Sequence, residues 1–246
     1  MKKTAAIILA GGKGTRFNEG KPSLKPKVLY EVNGVPIIKY SLEILEKIGV
    51  GEIVIVVGHK GDDIKNVLGP KYIYAIQEEA LGTGDAASKG LKKISDSIED
   101  VIVLYGADIY AETVLREVLD IHSKKNPKIT FITMLLENPS GFGRIVRGEE
   151  GRVQAIVEDK VATEEQKIIK EVNDGCYILN KDWLVKNINS LSMSKVREYF
   201  LTDLVELAIK EVSEVETYTI KNPTDWIGID SLEDIKNAEE IIRGKK

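Results

Sequence analysis

The sequence predicts an α/β fold with a doubly wound, mostly parallel sheet and an inserted β-hairpin subregion. Three runs of almost exclusively apolar residues indicate its central strands, at 5–10, 52–58 and 101–105. Strands that are apolar along their whole length are typical of a sheet covered on both faces. Segments with helical spacing of apolar residues separate these runs, and such alternation of strand and helix builds a parallel sheet.

Residues 1–125 supply most of this alternation. Strands are predicted at 5–10, 28–32, 52–58, 72–77 and 101–105, and helices at 36–48, 62–68, 83–94 and 112–122. The Asn33-Gly34 dipeptide marks a turn before the first helix. Pro36 suits the first turn of that helix, because an amide donor has no partner there. The first half of the chain is therefore the expected source of the parallel strands.

The pattern changes from residue 129 onward. Elements are predicted as strands at 129–135, 144–146, 153–157, 172–179 and 215–220, and as helices at 162–170, 183–188, 202–212 and 231–243. The strands at 144–146 and 153–157 flank a turn at 148–151 and are interpreted as a hairpin inserted in the fold. Ser231, with Asp234 three residues later, indicates the start of the last helix. With no internal repeat and no linker, we expect one domain spanning residues 1–246.

The composition excludes several classes of protein. Hydrophobic residues at 43% and charged residues at 30% are typical of a globular chain. No apolar run approaches the roughly 20 residues of a spanning helix, and the run that ends at Ala10 is too short for a signal peptide. We therefore expect no membrane partner and a cytoplasmic location. A net charge of −4 argues against nucleic-acid binding, and one cysteine, Cys176, with two separate histidines argues against disulfides and zinc.

The first predicted strand ends at a glycine-rich loop. Gly11, Gly12 and Gly14 lack side chains that would keep an anion away from the backbone amides. The loop also carries five cations, Lys13, Arg16, Lys21, Lys25 and Lys27. These charges repel one another unless an anion or solvent screens them. The spacing matches neither GxGxxG nor the Walker pattern. We interpret the loop as a binding site for a triphosphate.

Two acids follow apolar stretches in positions that suit a metal. Asp108 comes just after the strand predicted at 101–105, and Asp230 precedes the last predicted helix. The carboxyl ends of the strands in a doubly wound sheet face the ligand crevice. Two such acids are able to hold one Mg²⁺, which completes its shell with water and phosphate oxygens. The alternative is that each acid caps a helix or a turn.

Polar and glycine positions at other strand ends suit a base and a sugar. Gln77 has groups that can pair with a base edge, and the Gly82 backbone can lie against a flat ring, although a Gly-Thr helix cap explains the same residues. The segment 141–144, Glu158 and Asn173 supply the donors and acceptors that sugar hydroxyls require. Each of these positions also has a purely structural interpretation.

Motifs along nearly the whole chain resemble the sugar-1-phosphate nucleotidylyltransferases. These motifs are LAGGKGTRF at 9–17, PKVL at 26–29, QEEALGTG at 77–84, LYGAD at 104–108, NPSGFGRIVR at 138–147, IVEDKVATEEQ at 156–166, EVNDG at 171–175, EYFLTDL at 198–204 and GID at 228–230. The first motif marks only the wider family. The later ones are most similar to N-acetylglucosamine-1-phosphate uridylyltransferases. The resemblance implies a Rossmann-like domain with a nucleotide-binding half at about 1–125 and a sugar-binding half at about 126–246.

The resemblance also implies an activity and a role for each matching residue. The implied reaction is Mg²⁺-dependent transfer of UMP from UTP to N-acetylglucosamine 1-phosphate. The implied nucleotide-binding residues are Leu9, Ala10, Gly11, Gly12, Gly14, Thr15, Gln77, Gly82 and Thr83, with Arg16 and Lys27 as the catalytic cations. The implied sugar-binding residues are Gly143, Glu158 and Asn173, and the implied Mg²⁺ ligands are Asp108 and Asp230.

Three features depart from the family pattern. Ala107 interrupts the usual Tyr-Gly-Asp order, which moves the acid to Asp108, and Asp85 stands where relatives carry histidine. The sequence contains no hexapeptide repeats, so we expect it to lack the acetyltransferase half of the bifunctional bacterial enzyme. Two alternatives follow: a nucleotidylyltransferase for another sugar 1-phosphate, such as glucose 1-phosphate, with UTP, dTTP or CTP, and a non-catalytic nucleotide-sugar sensor.

Overall fold

The computed structural model describes residues 3–12, 14, 17, 25–211 and 214–244. The strands within these ranges are β1 (Thr4–Ala10), β2 (Glu31–Val32), β3 (Val35–Pro36), β4 (Glu52–Val57), β5 (Ile73–Ile76), β6 (Asp100–Tyr105), β7 (Asp108–Tyr110), β8 (Ile129–Leu135), β9 (Gly143–Arg147), β10 (Val153–Val157), β11 (Glu171–Asn180), β12 (Val215–Thr219) and β13 (Trp226–Gly228). The helices are α1 (Ile37–Lys47), α2 (Gly61–Leu68), α3 (Thr83–Leu91), α4 (Glu112–Lys125), α5 (Glu164–Lys167), α6 (Lys181–Asn187), α7 (Asp203–Lys210) and α8 (Leu232–Gly244).

The central sheet has the strand order β12-β8-β11-β6-β1-β4-β5. Strand β1 pairs in parallel with β4 and β6, β4 with β5, and β8 with β12. Strand β11 runs antiparallel to both of its main neighbours, β6 and β8. The predicted α/β fold with a mostly parallel sheet is confirmed.

The inserted hairpin is formed by β9 and β10, which pair in antiparallel fashion. It joins the sheet along the first part of β11, where Val172 lies opposite Arg144 and Asn173 opposite Gly143. The second part of β11 pairs instead with β6. The hairpin therefore extends the sheet beside the carboxyl end of β6.

The chain changes direction within the sheet at β1. It adds β4 and β5 on one side of β1 and then returns to place β6 on the other side. Leu9 lies opposite Tyr105 near the ends of β1 and β6, and the Gly106 amide donates to the Leu9 carbonyl at 3.0 Å. A crevice outside the carboxyl ends of the strands at such a switch point is the usual ligand site of an open α/β sheet.

Helices cover both faces of the sheet, as the continuous apolar strands predict. Successive side chains of a strand point to opposite faces. In β1, Ile8 packs with the apolar side chains of α1, α2, α4 and α8, whereas Ile7 packs with those of α3, α6 and α7. Both isoleucines are 0% exposed. None of the helices in the described part of the chain is long and apolar enough to cross a bilayer.

Two predicted elements have a different conformation. A strand was predicted at 28–32, but residues Lys27–Leu29 form a 3-10 turn after Pro26, and only β2 is extended. Val28 and Leu29 are both buried, so the apolar pattern reflects a buried turn. The helix predicted at 162–170 is reduced to the four residues of α5, where Thr163 and Gln166 form a reciprocal capping box.

The short pair β7 and β13 was not predicted. Their antiparallel register places Asp108 opposite Gly228, and the Ile229 amide donates to the Ala107 carbonyl at 3.1 Å. Helix α8 begins directly afterwards, and its predicted start is confirmed: the Asp234 amide donates to Ser231 Oγ at 3.2 Å. This pairing brings Asp230 next to the strand that carries Asp108.

Candidate active site

Two adjoining cavities lie at the carboxyl ends of the central strands. The first, of about 350 Å³, is bounded by the glycine-rich loop and is called the loop cavity. The second, of about 520 Å³, is bounded by the inserted hairpin and is called the hairpin cavity. Lys27, Tyr105 and Asp230 border both cavities. Ligands in the two cavities would therefore meet at these three residues.

The loop cavity collects the described part of the predicted phosphate-binding loop. Its wall contains Leu9, Ala10, Gly11, Gly12 and Gly14. A Cβ atom added at Gly11 would lie 3.1 Å from Gln77 Oε1, whereas one added at Gly12 would meet no described residue within 4 Å. A side chain at Gly11 would push against Gln77, whereas Gly12 leaves space among the described residues that a ligand can fill.

Part of the predicted loop site lies outside the described residues. This applies to Lys13, Thr15, Arg16 and Lys21. The predicted roles of Arg16 as a catalytic cation and of Thr15 in nucleotide binding stay predictions. Lys27 is described, and its side chain is 26% exposed at the junction of the cavities.

The far wall of the loop cavity is formed by Gln77, Gly82 and Thr83, as the sequence suggested. Gln77 is 7% exposed. Gly82 has φ +99°, and a Cβ atom there would lie 2.6 Å from the carbonyl oxygen of Tyr199. Thr83 Oγ1 accepts a hydrogen bond from the Leu201 amide at 3.0 Å. Gly82 and Thr83 thus have a structural role, at the start of α3, in addition to their place in the cavity wall.

The segment that supports this wall was not among the predicted site residues. The Tyr199 amide donates to the Leu81 carbonyl, and the Tyr199 carbonyl accepts from the Gly84 amide, both at 2.8 Å. The adjacent Glu198 borders the loop cavity. The motif EYFLTDL was the sequence signal for this segment, but no local pattern indicates that it lies beside residues 81–84.

The hairpin cavity brings together the three residues predicted to bind sugar, Gly143, Glu158 and Asn173. Asn173 Nδ2 donates to the Tyr177 hydroxyl at 2.5 Å, and Thr202 Oγ1 donates to Glu158 Oε1 at 3.0 Å. These bonds orient the two polar side chains. Burial raises the pKa of Glu158, and the hydrogen bond from Thr202 partly opposes this change. A Cβ atom at Gly143 would lie 3.0 Å from Ile156, so only glycine fits without displacing that side chain.

Asp174 also borders the hairpin cavity and was missed by the sequence reasoning. It is 3% exposed, and its Oδ1 accepts from the Cys176 amide at 2.7 Å. Burial raises the pKa of Asp174 well above its ordinary value, although the hydrogen bond from Cys176 works in the opposite direction. The available sequence signal was its position directly after Asn173 and before Gly175; in the structure it lies in an irregularity of β11 between Asn173 and Tyr177, where Gly175 has φ +99°.

The two predicted metal ligands lie beside Lys27. Lys27 Nζ donates to Asp230 Oδ1 at 2.7 Å. Burial raises the pKa of Asp108, the positive charge of Lys27 lowers it and the negative charge of Asp230 raises it, with a net pKa of about 7. Asp108 faces the hairpin cavity, whereas Ala107 borders the loop cavity. Asp108, which Ala107 shifts by one position relative to the family motif, is therefore on the hairpin side of the junction.

These acids fit a magnesium ion held jointly with a ligand. Among the described residues, no group of three or more acidic, histidine or cysteine side chains is placed to hold a metal. Mg²⁺ is commonly bound by one or two carboxylates and substrate phosphates, so a pair of acids is a sufficient donor set. The carboxyl groups that border the hairpin cavity are Asp108, Glu158, Asp174, Asp230 and Asp234. Of these, Asp108 and Asp230 interact with Lys27 at the junction and are the candidate ligands.

Comparison with known structures supports the fold. A putative glucose-1-phosphate thymidylyltransferase from Bacillus anthracis, in complex with a sucrose, superposes with a TM-score of 0.81 at 19% identity and covers 98% of this chain and 95% of its own. A UDP-glucose pyrophosphorylase complexed with UDP-glucose superposes with a TM-score of 0.82 at 20% identity, over 100% of both chains. These similarities confirm the Rossmann-like fold.

Sequence comparison identifies the family. The chain is 34% identical over 247 residues to the bifunctional protein GlmU of Acetivibrio thermocellus and, over the same length, 34% identical to that of Heliobacterium modesticaldum. Each alignment covers 100% of this chain and 53% of the relative, so the chain spans about half the length of these relatives. The model of the nucleotidyl transferase family matches residues 5–243. The predicted membership is thus confirmed: this chain belongs to the nucleotidyl transferase family.

Proposed function

We propose that this chain transfers UMP from UTP to N-acetylglucosamine 1-phosphate, giving UDP-N-acetylglucosamine and pyrophosphate. The observation that carries the proposal is the meeting of two cavities at Lys27, Tyr105 and Asp230. The loop cavity suits a nucleoside triphosphate, because its wall is glycine backbone beside a lysine. The hairpin cavity suits a sugar, because oriented carboxyl and amide groups face it. A reaction between the two ligands would occur at their junction.

The reaction needs positioning and positive charge more than a base. The second pKa of a phosphate monoester is about 6, so the sugar phosphate is largely a dianion at neutral pH. Its oxygen forms a bond to the α-phosphorus of UTP, and the bond to pyrophosphate breaks with its electron pair leaving on pyrophosphate. Alignment of the two phosphates lowers the entropic cost of this step. Lys27 borders both cavities and would stabilise the negative charge that the phosphates carry.

Asp108 and Asp230 are the residues that would hold Mg²⁺. When bound, the ion supplies positive charge to the phosphate oxygens. Asp230 is paired with Lys27 at 2.7 Å, so the lysine keeps this carboxylate at the cavity junction. Asp108 is 7% exposed, and its carboxyl group interacts electrostatically with both Lys27 and Asp230.

The hairpin cavity offers an apolar wall for an acetamide methyl group. Phe142 and Trp226 both border the cavity, with their ring centroids 5.9 Å apart and their planes at 70°. Such an edge-to-face pair presents a fixed apolar surface. Glu158 and Asn173 supply polar groups elsewhere in the cavity. This combination favours N-acetylglucosamine 1-phosphate over glucose 1-phosphate as the sugar substrate.

The test is a matrix of nucleoside triphosphates against sugar 1-phosphates. UTP, dTTP and CTP are each combined with N-acetylglucosamine 1-phosphate and glucose 1-phosphate, and pyrophosphate release is measured with and without Mg²⁺. We expect UTP with N-acetylglucosamine 1-phosphate to give the highest kcat/KM, and only with Mg²⁺ present. A strong preference for another pair would overturn the substrate assignment. Binding of UTP without pyrophosphate release from any pair would identify a nucleotide-sugar sensor instead.

A further inference from the structure

The carboxamide of Gln77 is held in one orientation by two neighbours. Its Nε2 donates to the Gly82 carbonyl at 3.0 Å and to Asp85 Oδ2 at 2.9 Å. A carbonyl oxygen and an ionised carboxylate only accept hydrogen bonds. The NH₂ group must therefore face them, because the opposite orientation would set the amide oxygen against two other oxygens. Asp85 and Gly82 together determine which end of the Gln77 amide is available to a ligand.

The available end is the oxygen. Gln77 Oε1 lies beside Gly11, 3.1 Å from where a Cβ atom of Gly11 would be, and both residues border the loop cavity. In the part of the chain that the structure describes, it makes no hydrogen bond. The side chain of Gln77 borders the cavity and is 7% exposed. The cavity thus presents a nearly buried acceptor, for which the absence of a donor is costly.

Asp85 is well placed to remain the acceptor of this pair. It lies in the first turn of α3, where the helix dipole favours negative charge. Lys89 Nζ lies 3.9 Å from its Oδ1, one turn further along the helix, and the Asp85 side chain is 16% exposed. Hydrogen bonds to a carboxylate are stronger than those between neutral groups.

We propose that Asp85 is a positioning residue for base selection. It holds Gln77 so that Oε1 accepts the ring N3–H of an imide base, uracil or thymine. Cytosine has a lone pair at N3, which would face the lone pairs of Oε1 at the same position. The proposal rests on the proposed function only in that the loop cavity binds a nucleoside triphosphate. A site that requires a donor rejects an analogue without it, because its buried acceptor is left unpaired.

The test compares bases on identical sugars. Calorimetry measures the binding of UTP against CTP, and of dTTP against dCTP, to the wild type and to Asp85→Ala, Asp85→Asn and Glu79→Ala. In Asp85→Ala, Gln77 Nε2 keeps only the Gly82 carbonyl as an acceptor, so the Gln77 carboxamide is able to flip. Asp85→Asn keeps an acceptor in place and is the conservative variant. Glu79 is an exposed acid in the loop between β5 and α3 and is the matched control.

The wild type is expected to bind each imide nucleotide more tightly than its cytosine counterpart. Asp85→Ala should reduce this ratio about tenfold, the effect typical of one hydrogen bond to a charged group. Asp85→Asn should recover part of the ratio, and Glu79→Ala should leave it unchanged. Melting temperatures identify variants that do not fold. If Asp85→Ala does not fold, the wild-type ratio is compared with that of Asp85→Asn.

Two results would overturn the proposal: equal binding of UTP and CTP by the wild type, or a wild-type ratio retained by a folded Asp85→Ala variant. Neither result depends on turnover. If no sugar phosphate supports pyrophosphate release, the proposed function fails, and the binding ratios still decide the role of Asp85.

Discussion

Lys27 Nζ lies 2.7 Å from Asp230 Oδ1 at the junction of the loop and hairpin cavities. The two side chains are 26% and 46% exposed, so solvent screens their attraction. Ion pairs of this kind contribute about 0–1 kcal/mol to stability. The pair therefore contributes little to stability. Its effect is to hold the positive charge of Lys27 where two anionic ligands would meet.

Lys27→Ala should reduce catalysis without unfolding the protein. We expect kcat to fall by roughly 10²–10³-fold, as for the loss of one group that stabilises transition-state charge. The melting temperature should remain close to that of the wild type, because the ion pair is partly exposed. Pyrophosphate release and thermal unfolding measure the two effects. Lys39→Ala, which removes an exposed lysine of α1, is the control and should retain full activity.

Asp230→Asn should weaken the response to magnesium. The variant keeps an oxygen that can accept from Lys27 but removes a negative charge, so the Mg²⁺ concentration for half-maximal activity should rise at least about tenfold. A magnesium titration of pyrophosphate release measures this change. Glu233→Gln removes an exposed charge from α8 nearby and should leave the titration unchanged. An unchanged titration for Asp230→Asn would show that the metal is held elsewhere.

Gly82→Ala should lower the stability of the protein, whereas Gly12→Ala should weaken UTP binding. At Gly82, with φ +99° and ψ 178°, a side chain is strained and would lie 2.6 Å from the Tyr199 carbonyl oxygen. We expect a loss of at least about 2 kcal/mol in the free energy of unfolding. At Gly12 a Cβ atom would meet none of the described residues within 4 Å.

Gly12→Ala should therefore leave stability unchanged but weaken UTP binding, since the methyl group occupies the space of the phosphates. Urea denaturation and calorimetry separate the two effects. A stable Gly82→Ala variant would mean that the loop at 81–84 can move away from Tyr199. Unweakened UTP binding by Gly12→Ala would place the phosphates elsewhere.

The sequence predicted those parts of the fold that depend on local patterns. β1, β4 and β6 follow from continuous apolar runs, because strands buried on both faces need them. The pair β7 and β13 has three residues in each strand and joins segments more than 100 residues apart, so no local periodicity marks it. Asp108 and Asp230 were nevertheless chosen from their positions after apolar stretches, and this pairing brings their segments together.

Site residues that act through neighbours were harder to predict. Asp85 was noted only as a departure from the family pattern, whereas its hydrogen bond to Gln77 depends on how β5 and α3 meet. Asp174 resembles an ordinary turn residue until β11 places it at the hairpin cavity. By contrast, Gly143, Glu158 and Asn173 belong to motifs of the resembled family and border one cavity. Their roles in sugar binding remain predictions.

Glu158 should make stability depend on pH in a defined direction. Burial raises the pKa of Glu158 from its ordinary value of 4.5, so the folded state binds its proton more tightly than the unfolded state does. The contribution of Glu158 to stability is thus fully present below the unfolded pKa and is lost as the pH rises through the folded pKa. Glu158→Gln has no such titration, although it keeps an oxygen that can accept from Thr202.

The measurement is the free energy of unfolding of the wild type minus that of Glu158→Gln, from urea denaturation at a series of pH values. This difference should decrease as the pH rises from about 4 to 7. Other titrating groups are common to both proteins and cancel in the difference. A difference that increases over this range would mean that folding lowers the pKa of Glu158, so that the hydrogen bond from Thr202 and the charge of Lys160 outweigh burial. Glu158 would then be a stabilised carboxylate in the folded protein, which would make it a stronger hydrogen-bond acceptor for a sugar hydroxyl.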